Sequence, residues 1–277
     1  MTVHATVGQA TDDRDARLQV TAALHALDRT DLAEINRFAA RQERVDRKYV
    51  LALTDLAPIL GTLPSGTRTL QIGGHISTAY ASRYLDTRDL RSFRDAATHR
   101  RRRAKIRMRR YESGASFLEI KTPGPRNLTR KVRRPHRFGD RVDDDAREFL
   151  MTHLRDEGVA APRPEDLIPV LDTTYDRSTL LLPGADRATV DCGLVLADPR
   201  QESDREVAVV GQAIVETKSG RRPTRLDRDL WRAGHRPVRI SKFGAGLALT
   251  RGEHPRRWSR AVGRLHTIDR TIIWENR

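Results

Sequence analysis

The sequence predicts an α+β protein in which about eight antiparallel strands build a barrel-like body over residues 41–250, with a few helices around it. Three observations carry that expectation. Short runs with strand-like alternation, separated by turn residues, fill much of residues 44–250. In five or more of these runs the charged residues fall on one face. The chain also carries 52 Lys and Arg against 37 Asp and Glu, a formal charge of +15, which implies a polyanionic partner: nucleic acid, an anionic membrane surface or phosphate chains.

Taken in order, residues 1–30 are polar and Ala-rich without a clear core face and read as a loosely helical extension; residues 1–40 form the N-terminal extension. Leu32, Ile35 and Phe38 have helical spacing within Asp31–Gln42. RVDRKYVLAL (44–53) shifts to strand character, and Thr54 is placed to cap a short helix, TDLAPILGTL. TLQIGG and ISTAYASRYLDT read as strands, and RDLRSFRDAATHR as a helix with Leu90, Phe93 and Ala97 inward. AKIRMRRY and SFLEIKT, joined by Glu-Ser-Gly, form an antiparallel hairpin; TRKVRRP adds a strand closed by Pro135. DDDAREFLMTHLRDEG (143–158) is a helix, with acids at its start, Phe149, Leu150 and Leu154 on one face and Gly158 at its end. Four strand candidates follow, LIPVLDTTYDRS, ATVDCGLVLA, EVAVVGQAIVETKS and RPVRISKFGAGLAL, with a short helix, LDRDLWRAG, between the last two. Residues 251–277 are a basic tail in which Trp258, Leu265 and Trp274 pack on the body.

Residues two apart on a strand point the same way. That places Lys105, Arg107 and Arg109 on one face of KIRMRRY, opposite Ile106 and Met108. Glu119 and Lys121 align in SFLEIKT, Glu216 and Lys218 in IVETKS, Arg187, Thr189 and Asp191 in RATVD, and Arg44, Asp46 and Lys48 in RVDRK. A solvated outer face explains any one strand. The recurrence, and the mixing of Glu with Arg and Lys, favours a polar interior whose basic groups clamp phosphate and whose carboxylates hold a divalent metal. Arg outnumbers Lys heavily: the six lysines are Lys48, Lys105, Lys121, Lys131, Lys218 and Lys242. In such a chain the lysines that remain mark positions suited to a compact ammonium rather than a planar fork.

At these residues the chain resembles the VTC (vacuolar transporter chaperone) domain, the polyphosphate-polymerase branch of the triphosphate tunnel metalloenzymes. The motifs run from RVDRKYVL through YLDTRDLRSFRD, RRRRAKIRMRRY, FLEIKT, TTYDRS, RATVDCGL and VETK to RISKFGAG, over residues 44–247. The resemblance implies a closed tunnel of eight antiparallel strands. It implies phosphate contacts from Lys48, from Lys105, Arg107 and Arg109, from Lys121 of E-x-K, and from Lys131 on the next strand. It implies the same of Arg177, with Tyr175, in Y-x-R, of Arg187, and of Lys242, with Ser241, in S-K-F. Lys218 of VETK joins the substrate-binding set, Glu216 is the carboxylate for Mn2+ or Mg2+, and Glu119 is a second candidate ligand.

One departure bears on activity. The triphosphatase and cyclase branch begins E-x-E-x-K, whereas this chain reads Arg44-x-Asp46-x-Lys48, exchanging a metal carboxylate for a phosphate contact. The expected activity is therefore transfer of the terminal phosphoryl of ATP onto inorganic polyphosphate. A triphosphatase on the same fold and a non-catalytic polyphosphate or nucleotide binder are the alternatives. RRRRAKIRMRR also invites a nucleic-acid reading, but no stacking motif accompanies it, and no specific nucleic acid is expected. The single Cys192 excludes an internal disulfide and a Cys-based metal site. With neither a secretory signal nor an apolar run of membrane-spanning length, a cytoplasmic location is expected. Regulation and export of a product would need a membrane or operon partner.

Overall fold

Alternation of apolar and charged side chains gives each long strand one face for an apolar core and one for a polar interior. The structure, a computed structural model, describes residues 7–39, 45–124, 129–200, 205–220, 222–253 and 256–271. Its helices are α1 (Val7–His25), α2 (Leu32–Ala39), α3 (Leu53–Gly61), α4 (Arg91–Ala97), α5 (Asp144–Asp156), α6 (Arg225–Arg232), α7 (Lys242–Arg251) and α8 (Arg256–Val262). The strands are β1 (Asp28–Thr30), β2 (Val45–Ala52), β3 (Arg68–Leu70), β4 (Thr78–Asp86), β5 (Lys105–Tyr111) and β6 (Ser116–Pro123), followed by β7 (Thr129–Pro135), β8 (Ile168–Leu181), β9 (Arg187–Ala197), β10 (Arg205–Val209), β11 (Gln212–Ser219) and β12 (Thr267–Thr271).

All twelve strands belong to one sheet. Its long path is β2-β11-β9-β8-β4-β5-β6-β7, antiparallel at every step. β10 and β12 continue from the far half of β9, and β3 joins the end of β8 and carries β1 in parallel. The path curls strongly. β2 and β5 are five strands apart, about 24 Å in a flat sheet. Yet Lys48 of β2 donates to the carbonyl of Ile240 (3.4 Å) while Lys105 of β5 donates to Ser241, the next residue (2.9 Å). The fold is thus α+β with a curled antiparallel sheet. A closed barrel was expected; among the described residues no ladder joins the two ends of the path, β2 and β7.

The convex face is apolar. Tyr49, Leu51, Val190, Ala213 and Val215 pack with α1, α3 and α6, and Ile106, Met108, Leu118 and Ile120 pack with Leu150 and Leu154 of α5. α5 begins as its sequence implies, with Asp143 accepting from the Ala146 amide (2.8 Å) and two further acids in the first turn. α6 is fixed behind the site by a buried capping box. Asp227 accepts from the Thr224 amide and hydroxyl, and its other oxygen accepts from Tyr49 and Thr217 (both 2.6 Å). Tyr49 and Thr217 alternate with Lys48, Glu216 and Lys218, so this network sets the pitch of β2 and β11 behind the charges they present.

Several expectations are corrected. α1 has a core face after all: Ala16, Val20 and Leu24, one residue per turn, are buried against the convex sheet, and Asp13 accepts from the Gly211 amide (2.7 Å). EVAVVGQAIVETKS is two strands, β10 and β11, parted at Gly211, whose φ of 66° turns the chain to a new neighbour. RPVRISKFGAGLAL contains α7 and no described strand. Ser241 caps it, accepting from the Gly244 amide (3.2 Å), and its small residues let it enter the curl: a Cβ on Gly246 would lie 2.4 Å from Leu171, and one on Gly244 2.5 Å from Trp258. Close packing here outweighs the roughly 1 kcal/mol that each glycine costs a helix. Thr54 lies inside α3, whose N-cap is Ala52, and Leu32 is half-exposed. The tail supplies α8 and β12, with Trp258 and Leu265 buried; Trp274 and Arg44 lie outside the described residues.

Candidate functional site

Register carries the predicted charges onto the concave face. Lys48 stands opposite Glu216, Lys218 opposite Arg187, Arg107 opposite Glu119, and Lys105, Lys121 and Lys131 stand abreast on β5, β6 and β7. The N-terminus of α7 adds Ser241 and Lys242 from the end of the curl that it fills. Every candidate within the described residues lies on this one surface. Sequence reasoning had aligned Asp191 with Arg187 but given it no role, and had not singled out Tyr80, Tyr84 or Arg133. The two tyrosines of TAYASRYLD, four residues apart and so on one face of a strand, were the available signal for the first two.

Two buried carboxylates organise the cations. Asp191 is 2% exposed and receives the Arg177 fork at 2.6 and 2.7 Å, with Lys242 on one of the same oxygens. Burial alone would raise its pKa; Arg177 and Lys242 outweigh burial and hold the carboxyl well below the usual range. Glu119 is fully buried, with Oε2 receiving Nε and Nη2 of Arg107 (2.8 and 2.6 Å) and Oε1 lying 2.5 Å from Lys131 Nζ. Again burial is outweighed, by Arg107, Arg109 and Lys131, and its carboxyl stays ionised. Among the described residues no carboxylate pairs with Arg109; it donates to Ser82 (3.1 Å) and to the Tyr175 hydroxyl (2.9 Å). The Tyr175 phenol, which burial would push up, is drawn below its ordinary range by Arg177, Arg109 and Lys242.

Other cations are left uncompensated. Among the described residues no carboxylate forms an ion pair with Lys121, and Arg107, desolvation and Arg109 push its pKa well down; Glu216 acts on it only from a distance. Lys105, whose ammonium reaches Ser241, falls from 10.5 to about 7, first through burial and then through Lys48 and Arg107. The ligand-free protein therefore holds fewer protons than its unfolded chain between about pH 7 and pH 10.5, and its stability should rise with pH across that window. A bound phosphate chain favours the charged ammonium, so binding takes the opposite sign. Tripolyphosphate should be bound with net proton uptake at about pH 8, and more weakly as pH rises further. Calorimetry in buffers of different ionisation enthalpy reads this directly; binding without proton uptake would count against Lys105 as a phosphate contact.

The donor set discriminates between kinds of metal site. Among the described residues no three acidic, His or Cys side chains cluster as ligands. Asp191 and Glu119 are taken up by cations, so Glu119, expected as a second metal ligand, would have to release Arg107 and Lys131 first. Glu216 is the carboxylate with room: Lys218 meets Oε1 at 3.0 Å, and although burial opposes it, Lys48, Lys218 and Arg177 keep its carboxyl well below the ordinary range. One carboxylate suits a Mg2+-like ion that arrives on substrate phosphates, and does not suit an all-protein cage.

A curled antiparallel sheet with a cationic concave face defines the class of protein; comparison gives the family. The VTC domain model matches residues 43–251, about three quarters of the chain, and the chain belongs to the VTC domain family. No curated protein sequence is similar enough to count as a match. Among solved structures, the protein PH1819 of Pyrococcus horikoshii OT3 is similar at 14% identity and TM-score 0.42, over 74% of this chain and 98% of that one. HpAC1 of Hippeastrum, assigned as an adenylyl cyclase with a dominant triphosphatase activity, is similar at 12% identity and TM-score 0.43, over 75% of this chain and 96% of that one. Both are too distant to bear on activity. No described helix is long and apolar enough to cross a membrane.

Proposed function

We propose that this VTC-domain protein is an ATP-dependent polyphosphate polymerase, with ATP and the growing chain held on the concave face and the two edges of the curl facing each other to make a tunnel. The observation that supports it most is the pair of half-buried lysines, Lys105 and Lys121, with no carboxylate among the described residues paired to them, beside arginines already fixed on carboxylates. Such a surface is costly when empty and favourable when a polyanion fills it. Arg107, Arg109, Arg177 and Arg187 grip non-bridging oxygens, for which a planar fork is suited, and Lys48, Lys121 and Lys242 act as point charges at the transferred group. Arg44, Lys105, Lys131, Lys218 and Ser241, with the Tyr175 hydroxyl, hold the remaining phosphates.

The chemistry asks for positioning and charge neutralisation. The bond between the γ-phosphorus and the bridging oxygen breaks, its electron pair leaving with ADP, while a terminal oxygen of the acceptor chain forms the new bond. That oxygen is already ionised, so no general base is needed. Glu216 would hold Mn2+ or Mg2+, which offsets charge on the phosphate oxygens when bound.

The test is to incubate the purified protein with ATP and Mn2+ and to resolve long-chain polyphosphate on a gel beside free phosphate. The expected result is polyphosphate with ADP, lost in Lys48→Ala and Glu216→Gln. Free phosphate without chains would replace the reading by a triphosphatase. Tight triphosphate binding with neither product would reduce it to a binder. Full metal-dependent activity in Glu216→Gln would remove Glu216 from the metal.

A further inference from the structure

A row of aromatic rings crosses the concave face beyond the phosphate clamps. Tyr175 of β8, Tyr80 of β4, Tyr111 of β5 and Phe117 of β6 lie on four neighbouring strands. Tyr80 stands in register with both Tyr175 and Tyr111. The centroids are 5.4 Å apart for Tyr80 and Tyr175, stacked at 17°, 5.0 Å for Tyr80 and Tyr111, and 6.0 Å for Tyr111 and Phe117, the last two edge-to-face.

Tyr111 and Phe117 lie at the end of the row away from α7; at its other end Lys242 of α7 lies 4.2 Å from the Tyr175 ring. Phe243 of α7 stacks on Tyr84, which is four residues along β4 from Tyr80, about 13 Å at the rise of a strand. Tyr80, Tyr111 and Phe117 are each partly exposed, and the apolar core of β5 and β6 is on their other face, so Tyr111 and Phe117 are not needed to fill it. Cations border the row. Arg109 and Arg177 lie 5.2 and 5.1 Å from the Tyr80 ring, and Arg133 lies 4.5 Å from Phe117.

Inorganic triphosphate has no group that gains from such a surface. A nucleotide does: its base has an apolar face that stacks on aromatic rings, and its phosphates would reach the arginines that edge the row. We propose that Tyr111 and Phe117, beside Tyr80, are the platform for the base of a nucleoside triphosphate whose phosphates lie on Arg109 and Arg177. The platform offers ring faces without a hydrogen-bonding pattern, so it selects a nucleotide over bare triphosphate and discriminates little among bases. This rests on the reading of the concave face as the phosphate site.

Equilibrium binding of ATP, GTP and tripolyphosphate to the full chain, and to Tyr111→Leu and Phe117→Leu, tests it. The expected result is ATP and GTP weakened between about 5-fold and 100-fold in either variant, the range for a lost base–aromatic stack, with tripolyphosphate unchanged. Unchanged tripolyphosphate binding also shows that the variants are folded. ATP binding indifferent to both substitutions, with tripolyphosphate still bound, would overturn the platform and leave the phosphate site standing. Parallel weakening of all three ligands would overturn it too, assigning the rings to the shape of the phosphate site. No binding of any ligand to the unaltered protein would overturn both.

Discussion

Asp191→Asn should destabilise the ligand-free protein by about 3–5 kcal/mol, the usual consequence of removing one partner from a buried ion pair. Asp191 is the anion between Arg177 and Lys242, two cations that are themselves well covered, and it has no solvent to fall back on. An amide in its place accepts one hydrogen bond from Arg177 and turns its own NH2 towards donors. The same substitution leaves two cations free for phosphate. Saturating tripolyphosphate should therefore raise the unfolding free energy of the variant by more than it raises that of the unaltered protein. Urea unfolding of both proteins, with and without tripolyphosphate, gives the four numbers. A variant as stable as the parent, or one that tripolyphosphate stabilises less, would mean that Asp191 does not hold the clamp in its resting state.

That expectation depends on a carboxylate whose importance only the fold reveals. The strands were legible because charges and apolar residues alternate along them. In β5, β6, β9 and β11 the faces seen in the sequence are the faces seen in the structure, and Lys48, Lys105, Lys121 and Lys218 fall where that alternation puts them, whereas Lys242 reaches the site from α7. The partner of each charge was not legible. Asp191 meets Arg177 across β9 and β8, and Glu119 meets Lys131 across β6 and β7, pairings set by register between strands. The aromatic row has the same origin, because its four rings come from four strands.

The helix α7 and the core face of α1 were hidden for different reasons. α7 is apolar and small-residued on nearly every side, a composition equally suited to a buried strand, and its identity is decided by the space beside Leu171 and Trp258. α1 buries one narrow stripe, Ala16, Val20 and Leu24, beneath a polar sequence. The closed barrel was an inference from family likeness. The described ladders show a strongly curled sheet in which no ladder joins β2 to β7.

Lys121→Met should lower the rate of phosphoryl transfer by about 10²–10³-fold, the loss typical of one preorganised charge at a transition state. The same substitution should make the ligand-free protein more stable. Lys121 sits among Arg107, Arg109 and Lys131 with no acid among the described residues paired to it, and their repulsion, together with desolvation, pushes its ammonium towards the neutral form. Met has similar length and no charge, so it removes the repulsion and keeps the packing. The two effects have opposite signs, and that separates a functional charge from a structural one. A lysine that served the fold would cost stability when removed; a lysine kept for a polyanion costs stability while it waits. Denaturant unfolding and the polyphosphate assay on one preparation decide the matter. Loss of both stability and activity would place Lys121 in the framework of the sheet, and unchanged activity would take it out of the reaction.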